Sequence, residues 1–178
     1  MCKFFKHLGT VLKHKTVVFK HCCKCGIGWQ GFWHDMSKFS ITEFSESVKY
    51  YTNGTRSPLS ICREKNGYSL AWIHHKGRNK HHLEYWYDEH NKQDMIVPYK
   101  YCIEGLCDRI AANKIYNKKN YTAQAVLDYW NKEKLLLHVN PKIEMWFDKV
   151  LLDLVNLGEK LVLNKTYLSD QYNKIVNS

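Results

Sequence analysis

Apolar residues along this chain recur mainly at helical spacing. Phe4, Leu8, Val11 and Leu12, then Val18, Phe19, Cys22 and Cys23, fall near i, i+3/i+4 and i+7. Gly26 and Gly28 close that stretch, as glycine commonly closes a helix. His7, His14 and His21 repeat at sevens within it and so share roughly one face. GWQGFW (28–33) reads as a loop with two anchoring tryptophans. Ser40 to Glu43 has the S-x-x-E form of a capping box and opens a helix to about Tyr51. NGTRSP (53–58) is a turn, 59–66 a short helix broken by Gly67, and 68–75 another helical stretch ended by KGRN. Residues 86–97 are polar and read as a loop.

Pro98 suits a first helical turn. From there to Ala112, Tyr101, Leu106 and Ile110 fit a buried helix. Two amphipathic helices follow, at 122–138 (Ala125, Leu127, Trp130) and 141–163 (Ile143, Trp146, Phe147, Val150, Leu151, Leu154). The polar tail from Asn164 to Ser178 is a short helix or frayed. There is no internal repeat. The expected fold is all-α, a single helical-bundle domain over 1–178 with its core at 7–155 and about six or seven helices.

Composition sharpens this picture without changing it. Hydrophobic residues make up 44% and aromatics 14%, enough for a globular core. The net charge of +10 predicts attraction to polyanions: nucleotides, nucleic acid or an anionic membrane surface. Arginines are few (Arg56, Arg63, Arg78, Arg109), so most of that charge is expected to serve solubility. No apolar run reaches the roughly 18 residues of a membrane span. The basic N-terminus lacks a long apolar signal-peptide region. Seven cysteines are an odd number, and the C-x-x-C at Cys22 and Cys25 has no second copy. That argues against a zinc ribbon and for reduced, mostly buried thiols in a cytoplasmic protein.

Candidate chemistry lies in histidine. WIHHKGRNKHHLEYW (72–86) holds four of the ten histidines with Lys76, Arg78 and Lys80 between them. Such a stretch suits a site for metal, for an anion, or for both; the plain alternative is a basic surface loop. His34-Asp35 lies upstream, and both side chains are good ligands for divalent metals. Asp108 sits among Leu106, Cys107, Ile110 and Ala111, and a buried carboxylate there must be paired or bind metal. His14, on the first helix, could complete a His, His, Asp, Asp set drawn from three helices.

His14 with Val17-Val18, then HDMSK, then an HH pair, then Asp108 in CDRIAA together resemble the HD-domain metal-dependent phosphohydrolases, an all-α superfamily. More closely, HDMSKFSITEF, RSP, GYSLAWIHHKGRNKHHLEYW and the PYKY…CDRIAA helix are similar to an uncharacterised family of bacteria and their phages, over residues 7–150. The superfamily resemblance implies that His14, His34, Asp35 and Asp108 bind a divalent transition metal (Mn, Fe, Ni, Co or Zn). It implies that His74 and His75 support a second ion, with His81 or His82 as alternative ligands. The implied activity is hydrolysis of a nucleotide, cyclic nucleotide or related phosphoester by metal-activated water. Asp35 would orient the nucleophile, Lys38, Arg78 and Lys80 would stabilise phosphoryl charge, and His81 or His82 would protonate the leaving oxygen. Trp86 is a candidate for stacking a base, against the plainer role of packing its loop on the core. The competing expectations are a catalytically silent nucleotide binder, such as a phage protein sequestering a signalling nucleotide, and a basic nucleic-acid-binding module.

Overall fold

Short polar side chains start five of the helices. Ser40 Oγ accepts from the Glu43 N–H at 3.3 Å, Ser69 Oγ from Trp72 at 3.0 Å, and Thr122 Oγ1 from Ala125 at 3.1 Å. Asn140 and Asn164 cap two more, the former ahead of Pro141. A side-chain oxygen at this position satisfies an amide that the helix itself leaves unbonded. In a computed structural model of the chain, which describes residues 2–178, the result is ten α-helices. They are α1 (Lys3–Lys24), α2 (Gly28–Trp33), α3 (Ile41–Tyr50), α4 (Pro58–Asn66), α5 (Leu70–Arg78), α6 (Tyr99–Asn117), α7 (Ala123–Glu133), α8 (Pro141–Leu157), α9 (Glu159–Val162) and α10 (Lys165–Ile175). A two-residue antiparallel pair, β1 (Tyr87–Asp88) with β2 (Gln93–Asp94), is the only sheet among the described residues.

The chain is therefore all-α, with more and shorter helices than its periodicity suggests. GWQGFW is helix α2, not a loop. Gly31 makes this possible: a Cβ there would lie 2.5 Å from Cys22 Cβ, so only glycine lets α2 settle onto α1. The expected anchoring tryptophans face outward instead, Trp29 being 76% exposed. The helix before KGRN runs into that string, through Gly77 to Arg78, and ends on its Asn79. The segment 141–163 is two helices, because Gly158 adopts φ 80° between α8 and α9. The polar tail is the ordered α10. Its Leu168 and Tyr172 are buried, and the Tyr172 hydroxyl donates to the Val97 carbonyl at 2.6 Å.

Two regions follow from the packing. The apolar core joins α6, α7, α8 and α10 around Trp130, Trp146, Phe147, Ile103, Leu106 and Leu154, with Val18 and Cys22 of α1 reaching into it. Cys25 and Cys107 bring their thiols within 3.9 Å inside this core and form no disulfide. The second region, where α1, α3 and α5 meet α6, is polar inside. Four histidines (His14, His34, His75, His81) and three carboxylates (Asp35, Glu43, Glu104) are buried there, with His82 and Asp108 less completely buried beside them.

Candidate metal centre

Each ligand reaches the centre for a local reason. α1 buries all three of its heptad histidines, but only His14 faces the centre, its Nε2 2.8 Å from Asp108 Oδ1. His34 ends α2, and Asp35 follows with φ 54° in the left-handed region, which aspartate tolerates better than most residues. That reversal turns two consecutive side chains inward, at 1% and 3% exposure. The Lys15 ammonium holds the turn by donating to the Phe32 and His34 carbonyls at 2.6 and 2.7 Å. Past α5, Asn79 fixes the irregular segment that bears His81 and His82. Its side-chain amide donates to Ser37 Oγ at 2.7 Å and to the His75 carbonyl at 2.8 Å, and its carbonyl accepts from the His82 N–H at 3.1 Å.

Two four-residue groups result, each with its ligand atoms within 4.8 Å of one another: His14, His34, Asp35 and Asp108, and Asp35, His75, His81 and His82. Asp35 belongs to both. Its Oδ2 lies 3.1 Å from His34 Nε2, while its Oδ1 lies 3.4 Å from His75 Nε2 and 3.5 Å from His81 Nε2. Both Asp35 oxygens, His34 Nε2, His81 Nε2 and His82 Nε2 are buried without a well-oriented hydrogen bond. Oδ2 does have the Lys38 ammonium 2.6 Å away. Buried polar atoms are seldom left so. Lone pairs gathered at this spacing fit a divalent cation, and the donor set of imidazoles and carboxylates suits a transition metal.

Two glutamates that the sequence did not single out complete the centre. Glu104, one turn before Asp108 on α6, has Oε1 2.9 Å from His34 Nδ1 and 3.2 Å from His81 Nδ1. The Gln30 amide donates to its other oxygen at 2.7 Å. Glu43 reaches His75 Nδ1 at 2.8 Å and His74 Nδ1 at 2.6 Å. An ionised carboxylate only accepts, so Nδ1 of His34, His74 and His75 carries the proton, and in His34 and His75 the Nε2 lone pair is left for a metal. Burial pushes Glu104 upward, but hydrogen bonds from His34 and His81 outweigh it and hold the carboxyl down at about 2. Asp35 stays well below the usual carboxylate range: burial opposes its charge, while His34, Lys38 and His75 favour it. His34 is pushed the other way. Burial disfavours the imidazolium, but Asp35, Asp108 and Glu104 around it favour positive charge at that place.

Several expected roles change. His74 belongs to neither group, because neighbouring helical residues point about 100° apart and His75 takes the inward direction. His81 and His82 stand within the second group, as the alternative ligand positions would require. Lys38 pairs with Asp35; burial works against its ammonium, but Asp35 and Asp108 hold it above the usual lysine range. Arg78 and Lys80 are exposed and line a recess walled by Glu104, on the Nδ1 side of His81. Trp86 packs: its indole N–H donates to the Lys80 carbonyl at 2.7 Å and its ring meets Tyr101 at 5.7 Å. The S-x-x-E signature hid Glu43, whose carboxylate turns to the histidines instead of closing the box. Glu104 had one sequence signal, its i, i+4 spacing to Asp108.

No curated protein matches the chain, and no solved structure does. Residues 3–153, which contain every ligand named above, match a family of unknown function, DUF5662, and the chain belongs to that family.

Proposed function

We propose that this protein is an HD-type metal-dependent phosphohydrolase acting on a nucleotide, cyclic nucleotide or related phosphoester. The observation that carries the reading is the division of Asp35, with one oxygen facing each four-residue group. His14, His34, Asp35 and Asp108 would hold one ion, and Asp35, His75, His81 and His82 a second. Divalent ions bound there would supply Lewis acidity toward phosphoryl oxygens and acidify water. The chain's own residues do the rest. Glu104 and Glu43 fix the histidine tautomers. The Lys38 side chain, 27% exposed beside a nearly buried Asp35, offers an ammonium to a phosphoryl oxygen at the edge of the centre.

Elemental analysis of the untagged protein tests this first. We expect one or two equivalents of transition metal, both lost in Asp35→Ala. In His82→Ala the second should be lost and the first kept. No metal after incubation with manganese and zinc would overturn the reading. The metal-loaded protein is then screened against nucleotides and cyclic nucleotides. Bound metal with binding but no turnover would instead favour a silent nucleotide binder.

A further inference from the structure

One face of α2 carries aromatic rings that cover nothing. Trp29, Phe32 and Trp33 are 76%, 50% and 52% exposed. They form an ordered band. Trp29 and Phe32 stack at 5.8 Å with planes 12° apart, and Trp33 stands edge-on to them at 5.9 and 5.2 Å. Phe19 of α1 extends the band through an edge contact with Phe32 at 6.5 Å. A recess flanked by cations lies at each end. Beside Trp33 is one of about 220 Å³ lined by Arg78 and Lys80; beside Phe19 is one of about 450 Å³ lined by Lys20 and Lys24. None of these four cations pairs with a carboxylate among the described residues. The carboxylate in the smaller recess, Glu104, is buried and already accepts from Gln30 and His34.

We propose that this band binds single-stranded nucleic acid, with bases stacking on the α2 aromatics and phosphates seated in the two cationic recesses. Aromatic platforms flanked by positive grooves recognise unpaired bases and a polyanionic backbone together. Trp29 and Phe32 stack as exposed, flat rings, and this favours a strand over a bilayer, because unpaired bases offer π-faces to stack on them and acyl chains do not. The +10 net charge adds attraction at longer range. This inference does not depend on the metal centre or its chemistry.

The test is fluorescence anisotropy of the untagged full chain with labelled thymidine and uridine homopolymers of about 15 nucleotides, a length suited to one stacking platform. Wild type should bind both, more weakly as salt rises from about 50 to 200 mM, and should prefer them to a duplex of equal length. Trp29→Ala/Phe32→Ala should weaken binding about tenfold or more while metal content and helicity stay unchanged. Lys20→Gln/Lys24→Gln and Arg78→Gln/Lys80→Gln should each weaken it severalfold and flatten its salt dependence. Failure of wild type to bind either strand would overturn the proposal, as would variants that bind like wild type. So would an aromatic variant that loses only adhesion to phosphatidylserine vesicles or only self-association. Should the aromatic variant misfold, ultraviolet crosslinking of wild type decides: oligonucleotide on residues 28–33 supports the surface, and crosslinks confined elsewhere refute it.

Discussion

Glu104 shows how one carboxylate can organise a centre it need not ligate. It accepts from His34 in the first group and faces His81 in the second, whereas Glu43 serves His75 alone within the two groups. Glu104→Gln replaces the charged oxygen that faces both rings with one end of a neutral amide, which accepts more weakly or, turned the other way, cannot accept at all. Metal affinity should fall about 10- to 100-fold at both positions, read by competition with a chelator. Glu43→Gln should weaken only the ion held by His75. The remaining heptad histidines behave differently. Burial, aided by nearby lysines (Lys38 for His7, Lys114 for His21), lowers both from 6.5 to about 4. The unfolded chain therefore binds more protons between those values, so their contribution is intact at neutral pH and is lost as pH falls from about 6.5 toward 4. Each shift corresponds to at most roughly 3 kcal/mol. Imidazole NMR should show both rings neutral at pH 5.5, and a urea midpoint less dependent on pH in His21→Gln would confirm the sign.

At the scale of elements, two glycines set how closely the ligand-bearing segments approach. A Cβ at Gly105 of α6 would stand 2.9 Å from the His81 carbonyl oxygen, a backbone atom with little room to yield. Gly105→Ala should push the 81–82 segment outward and weaken the second ion selectively, visible as a loss of one equivalent in elemental analysis. Gly31→Ala crowds Cys22 and Phe19 under α2. It should cost about 1–3 kcal/mol by overpacking and disturb the His34-Asp35 turn that α2 leads into, which thermal unfolding with a parallel metal assay would separate. The helix breaks have equally local causes. Gly158 at positive φ divides α8 from α9, and the Asn79 side chain, bonded to the His75 carbonyl, closes α5 one turn later than the KGRN string suggests.

For the whole molecule, the candidate ligands come from α1, the α2–α3 connection, α5, the segment after it and α6, so an ion there would tie α5 and the α2–α3 connection to α1 and α6, which the apolar core already joins. Removing metal with a chelator should lower the melting temperature by several degrees. A ligand at about 100 times its dissociation constant adds about 2.7 kcal/mol to a folded state, and for a chain of this size each kcal/mol shifts melting by about 2–4 °C. Calorimetry before and after chelation measures it, and an unchanged melting temperature would argue against a bound ion. No helix among the described residues is long and apolar enough to cross a membrane.

What the sequence determined by itself was whatever rests on neighbours along the chain. Helical periodicity marked α1, α6, α7 and α8, and the S-x-x-E signature at Ser40 marked the start of α3. His14, His34, Asp35 and Asp108 were legible as candidates from the adjacent His-Asp pair, from an acid set among apolar helix neighbours and from the resemblance to the HD-domain proteins. Only the tertiary structure decided the rest. His75 was chosen over His74, and His81 and His82 were drawn among the ligands, by the direction in which a helix and a pinned loop present their side chains. Glu104 and Glu43 gained their roles from distances across α2, α3, α5 and α6 that no spacing in the chain encodes. Even GWQGFW, too glycine-rich and aromatic to read as a helix, became one because α1 offers Gly31 a surface only glycine can meet. Local pattern fixes which residues can form an element, but which lone pairs converge is a property of packing, where residues 94 positions apart, such as His14 and Asp108, come within 2.8 Å.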